Sequence, residues 1–325
     1  MERSVDFFRS RHMLCGQCGH RWVVDLDWID RWKQALEGCP GCGVDCKGET
    51  APRVTIDPDD SALVDEDVAQ LVWYHTSTQP DWPTHDFDPA AELAEVTRLR
   101  MGGDEAVTRW GERQRAKALH VGTYEAAIHN MLRRIDDQAD YGSQFYLYRV
   151  RLVPTVTVRE GWLIDPNDFV GDVVLDEVCP LGIDVARYLN YHEDPGALSL
   201  ALGRNAIAST QQIAIPPLSG DDFGWLATAI GELKTTPVAS PPPTGSRPRG
   251  RHSAMSPRRQ KAGELILPLI QRLPVNLQRQ YQAAVAFDDN QEPEEWARHV
   301  VGLTGLFLAP ELVLAELDRD TVRTI

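Results

Sequence analysis

Nowhere does the 325-residue chain carry an apolar run of the roughly 18–20 residues that a membrane-crossing helix needs. Its opening stretch, MERSVDFFRSRHMLCG, has too much charge for a secretory leader. These two absences give the expectation of a cytoplasmic protein with no membrane partner. Positive charge is scarce as well: 33 Lys and Arg stand against 48 Asp and Glu, a net charge of −15. A field of that sign excludes nucleic-acid binding through the whole surface and leaves it only to a local patch. Residues 245–261, GSRPRGRHSAMSPRRQK, are such a patch, with basic side chains and no acid. The common catalytic signatures are missing: no GxxxxGK[ST] phosphate loop, no GxGxxG after a strand, no HExxH and no GxSxG. Cysteine is scarce outside one stretch, since only Cys179 of the six lies beyond residue 46. Free cysteine is usually a small buried hydrophobe, and Cys179 is expected to be an inert thiol.

The five clustered cysteines include Cys15-x2-Cys18 and Cys39-x2-Cys42, twenty residues apart. In a chain expected to be cytoplasmic, this pattern favours a metal over disulfides. Two such knuckles can bring four thiolates around one tetrahedral Zn²⁺, with Gly16, Gly19, Gly41 and Gly43 where tight turns need small residues. His20 and Cys46 are spare ligands. Residues 1–50 are therefore expected to be a zinc ribbon, a separate unit whose small core depends on structural Zn²⁺. With seven basic and eight acidic residues, it reads as a structural clip or protein-docking surface rather than a nucleic-acid grip.

Residues 51–67 read as a polar connector. Residues 68–235 read as a mixed α+β domain. LVWYHTS and ALHVGT are expected strands, and the stretch from DPAAELAEV to GERQRA is expected to be helical with a break at Gly102 and Gly103. YEAAIHNMLRRI is a helix with Ala127, Ile128, Met131 and Leu132 on one stripe. SQFYLYRVRLVPTVTVRE alternates as a strand pair, Phe145, Leu147, Arg149 and Arg151 on one face and Tyr146, Tyr148, Val150 and Leu152 on the other. GDVVLDEV and QQIAIP add strands. Residues 236–261 have the Pro-, Ser- and Arg-rich composition of a disordered linker. Residues 262–325 read as a small helical domain able to bind a protein partner. Leu265, Ile266, Leu269, Ile270 and Leu273 form its first stripe, with a helix start or kink at Pro268. Further helices are expected around Leu277, Tyr281 and Ala284, from Pro293, and at PELVLAELDRD.

WYHTS, then LHVGTYEAAIHNML, then a strand pair resembles the ADP-ribosyltransferase-like domains, a family that includes toxins, poly(ADP-ribose) polymerases and many bacterial and phage relatives. The resemblance covers residues 68–235. It implies transfer of ADP-ribose from NAD, as co-substrate, to a macromolecular acceptor, protein or nucleic acid, in a toxin or host-modifying role. It implies that His75, with Thr76 and Ser77, holds the nicotinamide side of NAD. It places His120, Gly122, Thr123 and Tyr124 at the floor of the site, where a histidine stands in for the usual Tyr or Phe and Tyr124 or Tyr146 can supply the stacking ring. It also implies a late glutamate that steadies the cationic sugar. Glu193 is the first candidate, with Glu177 and the glutamines Gln211 and Gln212 as alternatives. Independently of the family, cleaving a nicotinamide–ribose bond builds positive charge that a carboxylate stabilises, and His75 and Glu193 have the right chemistry for the catalytic pair. The competing reading is a zinc-ribbon scaffold without catalysis, or a nucleic-acid-associated regulator using the ribbon and residues 245–261.

Overall fold

A computed structural model describes residues 1–84, 87–91, 93–137, 142–164, 173–216, 223–237 and 256–325. The architecture is mixed α and β. In chain order the elements are β1 (Arg11–Cys15), β2 (Arg21–Val24), α1 (Leu26–Lys33), β3 (Pro52–Thr55), α2 (Asp65–Val68), β4 (Trp73–Ser77), α3 (Glu95–Arg100), α4 (Asp104–Arg115), β5 (Leu119–Val121) and α5 (Tyr124–Asp137). Then come β6 (Phe145–Leu152), β7 (Leu163–Ile164), α6 (Leu175–Val178), β8 (Val185–Leu189), β9 (Leu198–Leu202) and β10 (Ile207–Ile215). The last are α7 (Phe223–Thr235), α8 (Pro257–Ile270), α9 (Val275–Ala284), α10 (Pro293–Leu308), α11 (Pro310–Arg319) and β11 (Arg323–Thr324). The chain forms two compact units: residues 1–130, 146–212 and 320–325, and residues 131–145 and 213–319.

In the first unit, β1 lies between β2 and β3 in a three-stranded antiparallel sheet. The expected break at residue 50 therefore falls inside an element group. The Pro- and Asp-rich connector contributes a strand, with Met13 opposite both Trp22 and Val54. The ribbon belongs to the same compact unit as the mixed part, because the segment leading into β1 is bound there. Arg3 donates to the Val72 carbonyl and lies 4.4 Å over the Trp73 ring. Tyr74 donates its hydroxyl to Glu2. Arg9 and Arg11 reach Asp194 at 2.7 and 2.9 Å.

Two four-stranded sheets, ordered β11-β10-β6-β4 and β5-β9-β8-β7, enclose the main core. They meet where Tyr74 and Gly122 exchange backbone hydrogen bonds of 2.9 Å. Alternation along β6 behaves as the sequence implies: Tyr148, Val150 and Leu152 enter the core with Trp73, Val121, Leu198 and Leu200. On the outer face of β4, Thr76 donates to the Ala127 carbonyl of α5 at 2.9 Å, and the rings of Tyr74 and Tyr124 meet edge-on at 5.4 Å. The helix break at Gly102 and Gly103 is present, both at positive φ (104° and 86°). Three expectations differ. The second half of the proposed strand pair forms no strand beyond a parallel bridge of Val158 to Val185. LDEV is a helical turn, α6, rather than a strand. β8 and β9 are strands that the reading did not include.

In the second unit α7 packs on α8 and α10. The division therefore does not fall at residues 235/236, as α7 groups with the later helices. Trp225 donates to Leu265 and Trp296 to Val285, at 3.2 and 2.8 Å, and Tyr281 shares a 2.6 Å hydrogen bond with Thr304. Helix α8 begins at Pro257 with Ser256 as N-cap, five residues before the expected start, and runs through Pro268. Residues 238–255 of the expected linker lie outside the described residues. Among the described residues, no single helix is long and apolar enough to cross a membrane.

Candidate metal centre and the residues around His120

Cys15 ends β1 and the chain turns through Cys18 into β2; after α1, the segment 39–44 makes a second turn of the same form. Both turns close with the same hydrogen bonds. The Cys15 N–H reaches the His20 carbonyl and the Gly19 N–H returns to the Cys15 carbonyl, both at 2.9 Å. The Cys39 N–H reaches Val44 at 2.9 Å and Gly43 returns to Cys39 at 2.7 Å. Gly19 and Gly43 sit at φ 72° and 78°, where a side chain is strained. The result is four sulfurs within 4.8 Å of one another. Cys15 and Cys42 are 3.7 Å apart, Cys18 and Cys39 3.6 Å. A tetrahedron with Zn–S bonds of about 2.3 Å separates its sulfurs by about 3.8 Å, so the four can hold a metal ion such as zinc. Desolvation pushes the Cys15 thiol up, but the backbone N–H groups of Cys18 and Gln17 outweigh it and bring the thiol down to about 7. The spare ligands are placed elsewhere. His20 stacks on Trp22 at 5.4 Å, and Cys46 faces the Lys33 carbonyl at 4.0 Å. Cys179 is a buried thiol pushed up to about 11 by desolvation, 3.5 Å from the Ala201 carbonyl.

His75 is on the core-side face of β4, its ring stacked on Trp82 at 4.1 Å and 21°. Thr76 is spent on α5, and the Ser77 hydroxyl accepts from the Gln79 N–H at 3.1 Å. Thr123 caps α5, accepting from the Ala126 N–H at 3.0 Å, and donates to Asp194 at 2.7 Å. Tyr124 is buried between Phe7 and Tyr74. Tyr146 borders the main core. Glu177 is exposed on α6. Gln212 gives its N–H to the Asp320 carboxylate at 2.8 Å, and the Gln211 amide donates to the Asp320 carbonyl at 3.2 Å.

Glu193 lies by α5. Asn130 donates to its carboxylate at 3.4 Å and His129 Nδ1 is 2.6 Å from its carbonyl. The turn that carries it is held by Asn190, whose side-chain oxygen accepts from the N–H groups of His192, Glu193 and Asp194 at 3.0, 2.8 and 3.2 Å. His75 and Glu193 thus have different neighbours, Trp82 for the first and His129 and Asn130 for the second. His120 feels the Glu193 charge. Its Nδ1 is 3.2 Å from the Tyr188 hydroxyl. Burial lowers its pKa to about 4 while the Glu193 charge opposes that shift, so the ring is neutral at pH 7. Tyr188 and Asn190 are among the residues the sequence places around Glu193; Asn130 is not, nor is the role of Asp194, whose buried carboxylate joins three partners from two segments. Only the fold pairs those segments; no local spacing announces them. Comparison of the chain with protein families, curated proteins and solved structures finds no match.

Proposed function

We propose that the chain is a zinc-ribbon scaffold in which one Zn²⁺ on Cys15, Cys18, Cys39 and Cys42 is structural. The observation that carries this reading is the convergence of all four sulfurs at tetrahedral spacing. Four thiolates fill the coordination sphere and leave no position for water or substrate, as a catalytic zinc keeps. The ion fixes the first knuckle, and so fixes β1 and the arginines that reach Asp194. The scaffold then presents this unit to a macromolecular partner. Cys39→Ser tests it: the variant is expected to lose bound zinc and the ordered ribbon together. Full zinc binding in Cys39→Ser would refute the assignment.

A second reading keeps the ADP-ribosyltransferase chemistry, and one observation favours it: His120, hydrogen-bonded to Tyr188, feels the charge of Glu193. On that reading Glu193 steadies the cationic sugar, neutral His120 orients the nicotinamide, and His75 has a packing role with Trp82. Labelled NAD incubated with the protein and a cell lysate separates the readings. Transfer that falls at least 10²-fold in Glu193→Gln, comparable to losing one electrostatic stabiliser, supports the enzyme. No transfer by the zinc-loaded wild type supports the scaffold.

A further inference from the structure

The second unit encloses a cavity of ≈420 Å³, within the 300–1,000 Å³ range of small-ligand sites. Met131, Phe145 and Trp296 give it apolar walls; Asp288, Gln291 and Glu295 supply polar groups. Among the described residues, no Lys or Arg lines it. Among the described residues the remaining titratable lining residue is His299, whose Nε2 lies 3.3 Å from the Ala284 carbonyl. Burial lowers its pKa, so it adds no positive charge at pH 7. Asp288 has a partial counter-charge in Arg259, 3.6 Å from its Oδ2, while its Oδ1 accepts from the Asn290 backbone and side chain at 2.8 and 2.9 Å. Glu295 is exposed at the mouth. Two carboxylates over an aromatic wall make a negative, partly desolvated space. The Phe145 ring already meets one cation, the Arg134 guanidinium, which lies 5.1 Å from its centroid.

We propose that this cavity binds an organic cation with an apolar stem, an alkylammonium or guanidinium group whose charge meets Asp288 and Glu295 and whose stem lies along Phe145 and Trp296. An anion would face two like charges. A neutral apolar guest would bury carboxylate surface without compensation.

Calorimetry on the full chain tests the proposal with three probes: n-hexylammonium, its neutral counterpart n-hexanol, and a blocked Ala-Arg-Ala peptide. At least one cationic probe is expected to bind ten-fold or more tightly than hexanol. Glu295→Gln, at an exposed position, should weaken that cation three- to ten-fold, and Asp288→Asn should weaken it further. Preference for the peptide identifies a polypeptide side chain as the source of the cation, and preference for hexylammonium a free amine. Equal binding of hexanol and hexylammonium, unchanged cation binding in Glu295→Gln, or no cation binding at millimolar concentration would each overturn it.

Discussion

Asp194 is almost fully buried, yet it accepts from Arg9, Arg11 and Thr123. Asp194→Asn strands the buried Arg11 guanidinium, and denaturant unfolding should record a loss of about 3–5 kcal/mol. Burial pushes the Asp194 carboxyl up, but Arg9, Arg11 and the Thr123 hydroxyl outweigh it and hold its pKa below the usual value. Its stabilising effect is therefore present above the unfolded-state pKa, near 4, and is lost as pH falls through the lower folded value. His120 acts in another window. Its folded pKa is about 4 against an unfolded value near 6.5. Between those values the unfolded chain takes up a proton that the folded chain refuses, so stability falls as pH drops from about 6.5 to about 4. His120→Gln should flatten that slope, measured by unfolding at a series of pH values. At this scale the four cysteines that can hold a metal were legible, because paired CxxC knuckles are local in sequence. Asp194 was not, because its meaning rests on arginines more than 180 positions away.

At the scale of elements, sequence pattern served best where one face of an element is apolar. The stripe of α5 and the two faces of β6 were readable, and so were the helix starts at Pro293 and Pro310. β8 and β9 were not, because every residue in both is buried and period-two alternation disappears when both faces are covered. Pro52–Thr55 was obscured by its Pro- and Asp-rich surroundings, although β1 needs it as a partner. The turn between β8 and β9 rests on that strand. Gly196 has φ 90°, and an added Cβ would stand 3.0 Å from Val54 Cγ1 and 3.2 Å from the Thr55 carbonyl. Gly196→Ala should therefore cost about 1–3 kcal/mol of unfolding free energy. It should also raise hydrogen exchange in β3 relative to β10.

For the whole molecule, the three-part division expected from composition gives way to two compact units that do not follow chain order. The chain's last strand explains part of the difference: Arg323–Thr324 pairs with Ser209 and Thr210 in the first unit, after the helices α7 to α11 of the second. Two residues of strand carry too little pattern to read from sequence. The N-terminal segment explains another part, since Glu2, Arg3, Arg9 and Arg11 look like ordinary surface charge until Tyr74, Val72 and Asp194 meet them. A metal that orders β1 consequently supports the first unit as well as the ribbon. Native mass spectrometry with hydrogen exchange on wild type and Cys39→Ser, before and after chelation, tests this most directly. One zinc per wild-type chain is expected and none in the variant, with Arg11–Cys15 losing exchange protection when the ion is absent; a metal-free chain with those amides equally protected would contradict the account.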